Sequence, residues 1–138
     1  MSRYVHRLTP LGRMTALVPL LLAGCGAPHM KTIQDAKSAL IGQDAAVLTS
    51  CLGEPFAVRA HPAIPGRIEQ YSSAQARGPD GRLQAMPRPD LAAQARACVF
   101  DITVQDDRIR AVDSDNRAGW GFGGIAACSA VVRRCAGS

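Results

Sequence analysis

Apolar positions along this chain change period from one stretch to the next, and each period names an element. Ile33, Ala36 and Leu40 fall on one face of a helix that Thr32 opens, with Thr32-x-x-Asp35 as a capping-box-like start and Gly42 as its stop. Asp44 caps a second helix, where Val47, Leu48, Cys51 and Leu52 recur at i, i+1, i+4 and i+5, and Gly53 and Pro55 end it. The two helices make an αα-hairpin with Cys51 on its buried face. Strict alternation follows in Cys98–Gln105, where Cys98, Phe100, Ile102 and Val104 oppose Val99, Asp101 and Thr103. Asp106-Asp107 turns the chain, and Arg108 to Asp113 returns as a strand. Ile109 and Val112 stand three apart, which calls for a bulge or an early end. Arg67 to Ser73 is a shorter strand anchored by Ile68 and Tyr71.

Between these strands lies 74–97, with Gly78-Pro79-Asp80-Gly81 and Pro87-Arg88-Pro89, which reads as a flexible excursion with a helical turn from Leu91 to Ala97. The tail is loop through Gly124, then a short helix from Ile125 to Arg134. The expected fold is α+β: an N-terminal αα-hairpin packed on a three-stranded antiparallel β-sheet, with a disulfide-pinned C-terminal tail.

The first segment carries no part of that fold. Residues 1–24 hold Arg3, Arg7 and Arg13 and no carboxylate, then the apolar run Ala16 to Ala23 broken by Pro19. Spanning a bilayer takes about 20 apolar residues, so this run matches the core of a secretory signal instead. Leu22-Ala23-Gly24-Cys25 resembles a bacterial lipobox, which makes Cys25 the lipidated N-terminus of the mature chain and 25–31 a lipidated tether. Gly26, where an Asp would retain the protein at the inner membrane of enteric bacteria, points to the periplasmic face of the outer membrane. The expected membrane contact is thus a covalent lipid on Cys25. Subtracting the signal also changes the charge picture. The net charge of +5 falls to 13 basic against 11 acidic side chains, so nucleic acid is not an indicated partner. At 138 residues, the chain holds one domain, 32–138, and its 4% aromatic content makes a modest core.

Removing Cys25 leaves Cys51, Cys98, Cys128 and Cys135, an even set in an oxidising compartment, and two disulfides are expected. A zinc site is disfavoured because no C-x₂-C pair occurs. In an intact helix Cys128 and Cys135 lie about 10.5 Å apart along the axis, beyond the ~7 Å reach of a disulfide. Both then bond elsewhere, pinning the tail to Cys51 and to the Cys98 strand. A non-helical tail would permit a local Cys128–Cys135 loop.

Other motifs carry less. Gly119 to Gly124 satisfies G-x-G-x-x-G, but a dinucleotide site needs that loop between a first strand and a crossover helix, and the chain ends fourteen residues later. Trp120 and Phe122 in this loop are candidate partner contacts. His61 has no second histidine or carboxylate pair beside it, Glu54 and Glu69 are not paired for acid–base work, and Ser72-Ser73 lack a nucleophile context. No catalytic residue, metal ligand, cofactor or small-molecule substrate is therefore assigned. Arg133-Arg134 could touch anionic lipid, though favourable charge at a helix C-terminus explains them more simply.

The lipobox, the helical pair ending VLTSCLGEP, the strand with EQY and the hairpin CVFDITVQDDRIRAV together resemble the small outer-membrane lipoproteins of the BamE/SmpA/OmlA group. Gly42, Val47, Leu52, Gly53, Pro55, Tyr71, Phe100, Arg108, Ile109 and Val112 carry the likeness over about Thr32 to Asp113. The four cysteines, the excursion and the tail depart from that pattern. The resemblance implies a non-enzymatic, lipid-anchored accessory in outer-membrane assembly or envelope integrity, acting through protein contacts with outer-membrane assembly proteins. The same αα-βββ unit occurs in secreted enzyme inhibitors, which makes an inhibitor or ligand-binding module the alternative, with the excursion around Pro87-Arg88-Pro89 and the Gly119–Gly124 loop as its insertion elements.

Overall fold

The computed structural model describes residues 26–119 and 123–137. Helices α1 (Ala27–Leu40), α2 (Ala46–Cys51), α3 (Leu91–Gln94) and α4 (Gly124–Val132) accompany strands β1 (Ala57–Ala60), β2 (Arg67–Ser72), β3 (Cys98–Gln105) and β4 (Arg108–Asn116). The strands form one antiparallel sheet in the order β1-β2-β3-β4. The class is α+β, with four strands where the sequence pattern predicts three. The added β1 is an edge strand with no buried residue, Val58 being 55% exposed, so burial stamped no alternation on it. Its pairing with β2 is a matter of backbone hydrogen bonds, which hydropathy does not record.

Helix α1 starts at Ala27, ahead of the expected Thr32, so 27–31 is helix and not tether. Pro28 fits the first turn because the N–H it lacks has no acceptor there. Thr32 and Asp35 lie inside the helix and form no capping box. The Thr32 hydroxyl donates back to the Pro28 carbonyl, and Lys31 pairs with Asp35 one turn on. Ile33, Ala36 and Leu40 are buried as their spacing requires.

Past Gly42 (φ +86°) the chain runs along the free edge of β4: Gly42 N donates to Ile109 O, Ile109 N to Gln43 O and Ala45 N to Asp107 O. This rung partly shields an edge that would otherwise be open to another strand. It also carries α2 away from α1, and the expected helical hairpin does not form. The principal helical neighbour of α1 is α4. Asp44 Oδ1 accepts from Ala46 N at the start of α2, as its position predicts.

The β3–β4 hairpin turns through Asp106 and Asp107, both left-handed at φ +52° and +56°, which suits the twist of the paired strands. Thr103 then faces Ala111 and Val104 faces Ile109, leaving Arg110 as the extra residue of a bulge. That extra residue turns both Ile109 and Val112 inward, answering the three-residue spacing. Strand β4 continues past the expected Asp113 to Asn116.

The inner sheet face gives Tyr71, Phe100, Ile102, Val104, Ile109 and Val112 to the core. The helices give Ile33, Leu40, Leu48, Cys128, Val131 and Val132. Helix α4 is therefore part of the core, and more than a pinned tail. Its disulfides follow the expected pattern: Cys51 joins Cys135 and Cys98 joins Cys128, each with Cα atoms 5.1 Å apart. At the rim of the same face, Tyr71 Oη donates to Glu69 Oε2 (2.9 Å) and Arg67 Nε to Glu69 Oε1 (2.8 Å). Burial, then the Glu69 charge and its hydrogen bond, push the Tyr71 phenol far above its ordinary 10.0.

Two outcomes follow. Replacing both Cys51 and Cys135 by Ser frees a loop closed over 84 residues, and chain entropy sets the loss at about 4–5 kcal/mol. Thermal melting should show a fall of about 10–20 °C for a domain of this size. For Tyr71 the folded pKa lies above the unfolded one, so its contribution to stability is complete below pH 10.0 and is lost as pH rises beyond that value. Alkaline titration followed by phenolate absorbance should show Tyr71 ionising only together with unfolding.

Candidate functional site

Between β2 and β3 the excursion is braced at both ends, and the segment between the braces stands out from the domain. The first brace is Gln75, which is 5% exposed. Its Oε1 accepts from Ser72 N (2.8 Å), and its Nε2 donates to Glu54 O (2.8 Å) and to Gln84 O (2.9 Å). One amide thus satisfies three backbone groups from three segments. Beside it Leu83 enters the core, with its N donating to Leu52 O and its O accepting from Glu54 N. Gly53 sits between those two rungs at φ +109°, and a Cβ there would overlap the Leu83 backbone. The Gly-x-Pro that ends α2 is therefore the seat of the excursion as well as a helix stop.

The second brace is α3. Asp90 Oδ1 accepts from Ala93 N to cap it, and the Ser72 hydroxyl donates to the buried Gln94 Oε1 (2.7 Å). Cys98 N donates to Ser73 Oγ (2.9 Å), and Arg117 reaches the Gln94 carbonyl. The segment expected to be loose is thus packed at both ends. Between them Met86 is 67% exposed and Arg88 stands exposed between the prolines, and Leu91, the first residue of α3, is 89% exposed.

A cleft of about 500 Å³ lies behind the excursion, walled by Thr49, Gly53 and Glu54 on one side and 78–84 on the other. Its charged groups are committed to the wall. Asp80 accepts from Arg82 N (2.9 Å) and Arg82 Nε (2.6 Å), which hold its carboxyl below the ordinary range. Glu54 Oε2 accepts from Ala85 N. These carboxylates fasten a turn and present no pair aimed at a common point.

The other singled-out residues fall apart in space. His61 Nδ1 accepts from Ala63 N and Ile64 N, which folds the β1–β2 turn. Glu69 serves Tyr71 and Arg67, while Ser72 and Ser73 serve the excursion. Cys25, Trp120 and Phe122 lie outside the described residues. The root of the glycine-rich loop is described: Asn116 Nδ2 donates to Gly119 O, and Gly124 packs so closely on Gly119 O that a Cβ would not fit. Gly119 and Gly123 have left-handed φ of +75° and +93°, and Gly123 stands at the N-cap of α4. Among the described residues no group of three or more His, Cys, Asp or Glu could hold a metal ion, and no helix is long and apolar enough to cross a membrane.

Comparison with protein-family models, with curated proteins and with solved structures finds no match to this chain.

Pro87-Arg88-Pro89 was legible as part of a flexible excursion, but Gln75 and Gln94 carried no sequence signal, because a buried glutamine is spelled like an exposed one. Gln75→Leu removes the partner of the buried Ser72 N and of the part-buried Glu54 and Gln84 carbonyls, a cost of about 2–4 kcal/mol. Amide exchange should speed up across 76–85 while β3 and β4 keep their protection.

Proposed function

We propose that this chain is a non-enzymatic, lipid-anchored protein of the periplasmic face of the outer membrane. It serves as an accessory in outer-membrane assembly or envelope integrity and binds a protein partner through segment 84–93. The observation that carries the reading is the exposure of Met86 and Leu91 on a segment whose two ends are fixed by Gln75 and Gln94. Two large apolar side chains held out from a braced base lose little freedom on docking, which is what makes an exposed apolar pair an effective contact.

Anchorage is supported by Leu22-Ala23-Gly24-Cys25 and by the start of α1 at Ala27, two residues beyond the lipidation site. A lipid there holds the domain against the membrane with almost no slack. The likeness to BamE/SmpA/OmlA lipoproteins supports the role by pattern alone. Its Leu52, Tyr71, Phe100, Ile109 and Val112 are core positions, and its Gly53 is the close-approach glycine.

The second reading, an inhibitor of a periplasmic enzyme, is favoured by Arg88, which stands exposed between two prolines on the same braced segment. The two readings separate in one comparison. A tagged, lipidated chain captured from gently solubilised membranes should enrich barrel-assembly components. Cys25→Ala and the Met86→Asp/Leu91→Asp double variant should each abolish that enrichment without changing the melting temperature. Enrichment of a soluble hydrolase that the isolated chain inhibits would select the inhibitor reading.

A further inference from the structure

The excursion and the end of α4 bring three arginines together. Arg77 lies two residues past Gln75, Arg133 and Arg134 follow α4, and the Cys51–Cys135 bridge fixes that end of the chain. Arg77 Nη1 donates to Gly81 O (2.9 Å) and its Nη2 to Ala130 O (3.2 Å), while Arg134 Nη1 donates to Asp80 O (2.7 Å). All three acceptors are backbone carbonyls, which orient a guanidinium without supplying a counter-charge. The carboxylate of this turn, Asp80, pairs with Arg82 and also feels the charge of Arg134, which it partly offsets, while Arg77 and Arg133 form no ion pair with it. The exposed Arg133 has no ion-pair partner among the described residues. The crowding has a physical effect: burial, and then the charges of Arg133 and Arg134, lower the pKa of the Arg77 guanidinium. The C-terminal carbonyls of α4 offset part of this charge, yet a dipole end amounts to only about half a unit.

We propose that Arg77, Arg133 and Arg134 form a phosphate-binding patch that engages the headgroup phosphates of an anionic membrane. Guanidinium groups suit phosphate because their fixed forks match its oxygens, and each basic side chain near an anionic surface adds to attraction. The choice of a lipid phosphate rests on the lipid-anchor reading above, whereas the charge geometry stands by itself.

The test uses unlipidated residues 26–138, which contain the whole described core and both disulfides, so its result does not depend on the anchor. Sedimentation with vesicles should show binding to phosphatidylcholine containing phosphatidylglycerol and none to phosphatidylcholine alone. Arg133→Gln, which removes no hydrogen bond, should weaken binding about fivefold, and Arg133→Gln/Arg134→Gln about 30-fold. Arg96→Gln, an equal loss of charge elsewhere, should leave affinity unchanged. Equal weakening by Arg96→Gln would reduce the effect to net charge and overturn the patch, as would absence of vesicle binding. Inorganic phosphate that shifts the Arg133 and Arg134 amide resonances, with no vesicle binding, would overturn the lipid assignment in favour of a free phosphate. Failure of the anchor reading shows separately, as a mature chain whose mass carries no lipid on Cys25.

Discussion

Helix α4 is apolar on nearly every side, and such a helix is stable only if it is covered on nearly every side. That requirement organises the domain. The sheet lies beneath α4, α1 lies beside it, and disulfides tie it to β3 at Cys98 and its C-terminal extension to α2 at Cys51. Small residues make the close fit workable: Ala36 of α1 is fully buried, and α4, Ile125 apart, is built from Gly, Ala, Ser, Cys and Val. A core with so few aromatic rings gains modest area per residue, so cross-links that restrict the unfolded chain count for more here than in an aromatic-rich domain. The bridges span the fold, one over 30 residues and one over 84, and together they close the chain around its last helix.

The same economy appears in the excursion. A long insertion between paired strands would normally leave backbone groups competing with water. Here Gln75, Leu83 and Gln94 satisfy or bury its two ends, and the remaining segment is free to stand in solvent. The order is concentrated where the excursion leaves and rejoins the sheet. An exposed segment held in this way binds without first having to be ordered, which is why the braces matter to the proposed contact as much as Met86 and Leu91 do.

Anchor, exposed segment and arginine patch would give the domain different classes of contact. The proposed anchor would be a covalent lipid on Cys25, just ahead of α1. The exposed segment offers apolar side chains, and the patch offers an excess of positive charge. Arg77 belongs to the excursion and donates to α4, so the patch and the exposed segment share one structural base. Weakening the excursion at Gln75 therefore disturbs both.

The residues that specified their structure from sequence were those with a periodic burial demand. Ile33, Ala36 and Leu40, the alternation of β3, the inward pair Ile109 and Val112 with its bulge, and the exclusion of a Cys128–Cys135 bridge all followed from spacing. What remained hidden depends on partners distant along the chain. β1 exists because β2 offers it hydrogen bonds, and α1 turns to α4 because the Gly42–Ala45 rung holds α2 aside. Gln75 and Gln94 are structural only because the fold surrounds them. Sequence fixes which side chains must be buried. Tertiary structure decides which backbones pair and which polar groups meet, since those are contacts between segments and no single segment contains them.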